Sequence, residues 1–301
     1  MSRRALVFGA TGQIGRALLP GLDAAGWAID AVSRSSDPAS IDAAGIRWHR
    51  ADLFASPIVL PRADVIFSLG PLDGFVQWLA QQRALAARIV AFGSTSADTK
   101  RQSADAEERR LADSLCRSEA ALAQHASQAG ARWTLLRPTL IYGSGGDRNL
   151  SRIVALARRA RCFVLPRDAC GLRQPVHVDD LALAAMQVVD CENALDRSFD
   201  LPGGESLRYD EMVRRVLACL DPPLPLFALP RSLFALLALI LRTTGRLKGA
   251  GTGVLERMSR DLVFDLDPAR QAFGFAPREF RPNAAMFDSK STPNMLQRST
   301  N

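Results

Sequence analysis

The sequence predicts an α/β protein: a Rossmann-type, doubly wound parallel sheet with helices on both faces, followed by a smaller C-terminal α/β region. Three observations carry that expectation. Short apolar runs alternate with helical stretches through the first half of the chain. A turn with three glycines at three-residue spacing, Gly9, Gly12 and Gly15, falls between the first such run and the first helix. Beyond Gly143 the texture changes to shorter helices and Pro-containing turns. The division that follows is 1–145 for the first domain, with segments of about 172–200 returning to it, 146–288 for the smaller region, and a polar, disordered tail over 289–301.

Taken in order, Ala5-Leu6-Val7-Phe8 reads as a buried strand that runs into Gly9-Ala10-Thr11-Gly12-Gln13-Ile14-Gly15. The helix opened by that turn continues to Gly26, with a kink expected at Pro20. Ala28–Ser33, Asp64–Ser68 and Ile89–Phe92 are further strands, with a helix expected over Gly74–Ala87. Residues 103–129 form a long helix with Leu111, Leu115 and Leu122 on one face. Trp133–Arg137 is the next strand, and Val176-His177-Val178 a short one. Buried on both faces, such strands carry near-continuous apolar runs. Leu233–Leu241 is strongly apolar but bracketed by Arg231 and Arg242. It is shorter than the roughly 20 residues a bilayer span needs, so it reads as a buried or substrate-covering helix.

Composition narrows the function classes. The net charge of +7 is almost wholly arginine, since only Lys100, Lys248 and Lys290 are lysines. Arginine grips phosphate bidentately, which suits an anionic ligand, while a scattered basic surface is the plainer reading of the excess. No basic stripe is interleaved with aromatics, so nucleic acid is not expected. The five cysteines, Cys116, Cys162, Cys170, Cys191 and Cys219, form no Cys-x-x-Cys pair. They imply neither a zinc site nor a disulfide framework, and fit the reduced thiols of a cytoplasmic protein. The apolar run after Met1-Ser2-Arg3-Arg4 is too short for a signal peptide.

The glycine spacing carries the first functional expectation. Glycine lets the backbone approach a pyrophosphate, whose charge the N–H groups at a helix N-terminus meet. Gly9, Thr11, Gly12, Gln13, Ile14 and Gly15 are therefore candidate dinucleotide contacts. Cofactor choice turns on the end of the second strand, where NAD sites carry a carboxylate and NADP sites a cation. Here Ser33 and Arg34 stand, followed by Ser35 and Ser36. Arg34 can pair with a 2′-phosphate, so NADP is expected over NAD. Asp30 falls too early in the strand to serve.

The Gly-x-x-Gly-x-x-Gly turn resembles the short-chain dehydrogenase/reductase superfamily, and later segments resemble its extended, epimerase/dehydratase-like branch. Asp52-Leu53 looks like the pair placed against adenine, Leu69-Gly70 like the segment lining the dinucleotide, and Ser94 like the catalytic Ser or Thr. Arg137-Pro138-Thr139-Leu140-Ile141-Tyr142-Gly143 is similar to the segment beside the nicotinamide, which makes Pro138 and Leu140 candidate contacts. Arg173 to Ala182 resembles the entry to the substrate domain, and Phe273-Gly274-Phe275-x-Pro277 the C-terminal pattern. Resemblance also implies substrate contacts at Asn149 and Arg173, and a nucleotide-sugar-like small molecule as substrate. Either residue could equally tie the two regions together. Membrane is not expected as a partner, and a homodimer is the assembly to test for.

One family feature is missing. The superfamily's Tyr-x-x-x-Lys pair needs both side chains on one helix face, so that lysine lowers the tyrosine pKa and orients the ribose. The two tyrosines here, Tyr142 and Tyr209, are followed four residues on by Gly146 and Val213. On the long helix Leu111 and Leu115, or Leu115 and Glu119, take those places. The resemblance is thus to atypical members, some of them reductases using other residues and some redox sensors or assembly factors without turnover. Ser94 and Lys100 are the candidate catalytic groups, with a solvated loop lysine the alternative for Lys100. His125 reads as a surface residue, His177 as a local hydrogen-bonding group, and Asp180 as the N-cap of the following helix.

Overall fold

The computed structural model describes residues 2–34, 45–54, 60–83, 85, 87–147, 149–236 and 257–287. In chain order the first half comprises β1 (Arg4–Phe8), α1 (Gln13–Ala24), β2 (Ala28–Ser33), β3 (Ile46–Arg50), β4 (Val65–Ser68), α2 (Leu72–Leu79), β5 (Arg88–Phe92), α3 (Ser96–Thr99), α4 (Ala106–Gln128) and β6 (Arg132–Pro138). There follow β7 (Ile141–Tyr142), α5 (Leu150–Ala160), β8 (Phe163–Pro166), β9 (Leu172–Arg173), β10 (Val176–His177), α6 (Val178–Gln187), β11 (Arg197–Leu201), β12 (Leu207–Arg208), α7 (Tyr209–Ala218) and β13 (Leu226–Leu229).

Seven strands make one sheet in the order β11-β6-β5-β4-β1-β2-β3, every neighbouring pair parallel. The strand order reverses between β1 and β4, the switch point at which open α/β sheets leave a crevice for ligands at their carboxyl ends. Both faces are covered. Ala5, Val7, Ile29, Ala31 and Phe67 pack with Leu18, Leu19 and Leu22 of α1 and Leu181, Ala184 and Ala185 of α6. Leu6, Phe8, Ile66, Ile89 and Leu135 pack with Phe75 and Trp78 of α2 and Leu122 and Ala126 of α4. Alternate residues of each strand thus feed opposite cores. A third core holds Tyr142, Leu150, Val154, Met212, Val216 and Phe280, built on α5 and α7. Three two-stranded ladders surround it: β7–β10, β9–β12 and β8–β13.

Several expected elements differ in detail. The helix expected over Gly74–Ala87 runs only from Leu72 to Leu79. The Gln81 and Gln82 N–H groups bond back to Trp78 and Leu79, and the Leu85 N–H is drawn to the Ala129 carbonyl, which carries the chain off the helical path toward β5. On α4 the buried positions are Ala112, Ser118, Leu122 and Ala126, while Leu111 is 45% exposed. Small side chains let that helix lie close to its neighbours, so the buried stripe follows Ala and Ser rather than Leu. Val178 opens α6 instead of ending a strand.

Pro20 lies within α1. Of the apolar segment, residues 231–236 are helical with Leu233 and Leu236 about half exposed, so this part is not buried, and the substrate-covering alternative is left standing. Residues 237–241 and the 289–301 tail lie outside the described residues. Among the described residues no helix is long and apolar enough to cross a membrane.

Candidate dinucleotide site

The three glycines of the β1–α1 turn have unequal work. Gly9 has φ +74°, and a β-carbon there would stand 2.6 Å from the Gly70 nitrogen. At Gly15 a β-carbon would stand 2.4 Å from the Ala10 oxygen. Both glycines are therefore required by the packing of the turn itself. Gly12 is exposed, and a β-carbon there would meet only the Gly9 oxygen, at 3.0 Å. Its bareness leaves space outside the loop, where α1 begins. That N-terminus has no side-chain cap and no acidic residue in its first turn. The leading N–H groups of α1 are thus left to an external acceptor, and the residues fit a pyrophosphate. Ile14 is buried in the core, so only its backbone can face such a ligand. Gln13 bridges the turn to the segment after β7: it accepts from the Ser144 hydroxyl at 2.8 Å and donates to the Gly146 carbonyl at 3.1 Å.

Where β2 ends beside this turn, the Thr11 and Ser33 hydroxyls lie 3.2 Å apart. Arg34 follows Ser33 and is exposed. Asp30 is turned to other work, with His49 Nε2 at 2.7 Å and Arg4 Nη1 at 3.9 Å. Asp52 is exposed and accepts the Phe54 N–H at 3.1 Å, closing a turn, and Leu53 packs at the edge of the sheet core. Leu69 continues beside β1 through its N–H to the Phe8 carbonyl, and Gly70 lies against Gly9. Ser35, Ser36 and Asp37 lie outside the described residues.

At the other end, Ser94 leaves β5 with its hydroxyl accepting the Ser96 N–H at 3.1 Å. Thr95 donates its N–H and its hydroxyl to the Pro138 carbonyl, which sets Ser94 beside the β6 exit. Leu140 is half-buried there, and its carbonyl accepts the Val176 N–H. Lys100 sits at the end of α3 with its ammonium 3.8 Å from Glu108, which also pairs with Arg257 and accepts the Ser103 hydroxyl. It is therefore a paired lysine rather than a free loop one.

Glu119 of α4 reaches the residue just before Ser94. Its carboxylate lies against Gly93 and 3.8 Å from Arg137 Nη1. Burial and the nearby Asp200 push its pKa up to about 7, opposed by the Ser94 backbone N–H. Sequence reading placed Glu119 only as a substitute for the missing lysine. The pointer it offered was the family position itself, together with Arg137 on the facing strand. Leu115 is half-buried and Leu111 exposed.

The substrate side is occupied by structural bonds. Arg173 is 6% exposed, donates to the carbonyls of Leu172, Arg260 and Arg257, and lies over the Tyr209 ring at 5.3 Å. In this arrangement it ties segments of the chain together. Asn149 is exposed before α5 and makes no side-chain cap. The buried Asp147 caps that helix instead, taking the Asn149 and Ser151 N–H groups. Asp180 is likewise not the cap of α6. His177 is, its Nδ1 accepting the Asp179 N–H at 3.2 Å, while Asp180 takes the Arg278 N–H at 3.0 Å and its Nε at 2.8 Å. Burial lowers the His177 pKa, with Asp179 opposing. Tyr142 is fully buried between the His177 and Phe280 rings.

No family model matches the chain. It is 28% identical over 163 residues to a mouse protein, short-chain dehydrogenase/reductase family 42E member 1, covering 50% of this chain and 41% of that protein. It is 22% identical over 143 residues to the UDP-glucose 4-epimerase of Vibrio cholerae, covering 48% and 41%. The chain thus spans well under half the length of the curated relatives it matches. Among solved structures, an epimerase from Methanothermobacter thermautotrophicus superposes with a TM-score of 0.71 at 16% identity, covering 95% of this chain and 91% of that one. A UDP-glucuronic acid 4-epimerase from Bacillus cereus, in complex with NAD, gives 0.69 at 12%, covering 92% and 94%. A UDP-glucose 4-epimerase from Thermotoga maritima, with UDP-glucose, gives 0.65 at 15%, covering 91% and 94%. The chain is thus similar in sequence to these two proteins over about half its length, and it carries a Rossmann-like α/β fold similar to those of these epimerases.

Proposed function

We propose that this chain is an atypical member of the short-chain dehydrogenase/reductase superfamily which binds NADP(H) and acts as an epimerase, dehydratase or reductase on a nucleotide-sugar-like small molecule. The uncapped N-terminus of α1 beneath the exposed Gly12 is the observation that carries the reading. Gly12, Gln13 and the backbone of Ile14 and Gly15 would hold the pyrophosphate. Ser33 and Arg34 would meet the 2′-phosphate, Asp52 and Leu53 the adenine, and Leu69, Gly70, Pro138 and Leu140 the rest of the dinucleotide. A bound nicotinamide supplies hydride transfer. Ser94, at the carboxyl edge of β5, would hydrogen-bond the reacting oxygen, and Asn149 would approach the substrate's phosphates. The protein would be cytoplasmic, with a homodimer as the assembly to test.

A second reading has its own observation. Leu115 and Glu119 provide neither a phenol nor a cation where the acid–base pair would stand. A redox-sensing or assembly protein with a regulatory dinucleotide would need neither. Incubation with NADP and NAD, mass spectrometry of the bound nucleotide, and a hydride-exchange assay with UDP-sugars separate the two. Retained NADP with hydride exchange supports the first reading, and retained NADP without exchange supports the second. Failure to retain either dinucleotide overturns both.

A further inference from the structure

Exposed apolar side chains are ordinary when they stand singly and need a cause when they gather. Among the described residues seven large apolar side chains are exposed, and three of them fall within ten residues of chain: Phe227 at 53%, Leu233 at 52% and Leu236 at 54%. Phe227 lies on β13, which pairs only with β8 among the described residues. In that parallel pair Leu226 is opposite Phe163, and both pack on the third core. The next pair, Phe227 and Val164, therefore points to the other side, because side chains alternate along a strand. Leu229 and Pro230 lead into the helical residues 231–236, where the Phe234 N–H bonds the Pro230 carbonyl. Phe234 is half-buried, while Leu233 and Leu236, three positions apart, share an outward face. Six residues separate Phe227 from Leu233, a reach of at most roughly 20 Å.

The charge beside these side chains has one sign. Arg159 and Arg161 stand at the end of α5, just before β8. Arg167 stands just after β8, its N–H bonded to the Leu229 carbonyl of β13. All three arginines are exposed. Arg231 is exposed as well and pairs with Asp168 at 3.1 Å. Residues 159–167 and 225–236 hold these four arginines and no Asp or Glu, so with Asp168 counted the net charge is +3. A second copy of the chain docked by a two-fold axis on this face would set +3 against +3, which disfavours self-association there. An anionic bilayer meets both features: apolar side chains enter the headgroup region, and guanidinium groups bond lipid phosphate and carboxylate.

We propose that β13 and the helical residues after it dock on an anionic lipid surface, with Phe227, Leu233 and Leu236 entering it and Arg159, Arg161 and Arg167 meeting its charges. Such a contact lies along the membrane and needs no helix that crosses it. It stands apart from the dinucleotide reading and uses none of that site's residues.

The test is sedimentation of the full chain with vesicles of phosphatidylcholine alone and of phosphatidylcholine with phosphatidylserine. Wild type should bind the second about tenfold or more tightly than the first, since each arginine near an anionic surface contributes about fivefold. Added salt should weaken that binding. Arg159→Gln and Arg167→Gln should each lower it about fivefold. Leu233→Ser combined with Leu236→Ser should lower it about tenfold or more, through the apolar area no longer buried. The urea midpoints of these variants should match wild type, because the altered side chains are exposed; should the leucine variant not fold, Phe227→Ser is the second probe of the apolar contact. Wild type that does not sediment with the phosphatidylserine vesicles, or that binds both kinds equally, overturns the proposal, as does a folded leucine variant that binds them as wild type does. A leucine variant that only turns a dimer into a monomer in light scattering assigns the face to a second copy, and one that only raises the KM for a UDP-sugar assigns it to covering the substrate. Either result overturns the lipid assignment. Dinucleotide retention is measured separately, by mass spectrometry, so the functional reading and this one fail independently.

Discussion

Gly15 presses against Gly9 so closely that a β-carbon on the first would stand 2.5 Å from the carbonyl oxygen of the second. Backbone against backbone leaves nothing flexible to give way. Gly15→Ala should therefore destabilise the fold by about 1–3 kcal/mol, the scale of overpacking, read as a lowered urea midpoint. Gly12 faces outward, so Gly12→Val should leave the protein folded while abolishing dinucleotide binding through the bulk and stiffness of its side chain. A soluble Gly12→Val protein that binds NADPH as wild type does would reduce the loop to a structural turn.

Cofactor preference is expected to rest on Arg34. Asp30 is engaged by His49 and Arg4, which leaves Arg34 as the charged residue at the end of β2 among the described residues that follow it directly. NADPH should bind more tightly than NADH by calorimetry, and Arg34→Ala should cost NADPH about 1–3 kcal/mol with little effect on NADH. Equal affinities in both proteins would remove the 2′-phosphate assignment.

Ser94→Ala should lower any hydride exchange at nearly unchanged NADPH affinity, by up to the roughly 10²–10⁴-fold of a positioned proton-handling group. Lys100→Met should lower it less, because that ammonium faces Glu108. An equal loss in both variants, measured with one UDP-sugar, would restore Lys100 to the site.

Arg278 is anchored by the buried carboxylate of Asp180 through its backbone N–H and its guanidinium. Asp180→Ala should cost about 1.5–3 kcal/mol, the range for hydrogen bonds to a charged group, in urea unfolding. Because the contact joins α6 to the 278 segment, proteolysis between them should also quicken. Unchanged stability would mean that the arginine finds equal partners in water.

Glu119 gives stability a pH dependence whose sign follows from its raised pKa. The folded state holds the proton more tightly than the unfolded chain does. The contribution is fully present below the unfolded value near 4.5 and is lost as pH rises through about 7. Glu119→Gln should accordingly gain stability relative to wild type at pH about 8.5 and show little difference at pH about 4.5. A constant offset between the two proteins across that range would show that Glu119 titrates normally.

What the sequence determined by itself is what short stretches encode. Apolar runs covered on both faces specify parallel strands, and Gly9, Gly12 and Gly15 specify a turn from strand to helix, because each depends on residues only a few positions apart. The alternation of those elements was enough to read the seven-stranded architecture's class. Tertiary structure alone decided which polar groups meet. Arg173, read as a substrate contact, spends its donors on carbonyls that arrive with residues 257–260. Lys100 was drawn to Glu108, and the capping of α6 went to His177 because Arg278 claims Asp180. Glu119 became notable only when folding set α4 beside Gly93, Arg137 and Asp200, since a desolvated carboxyl is defined by neighbours brought from other strands, and a one-dimensional pattern does not contain them.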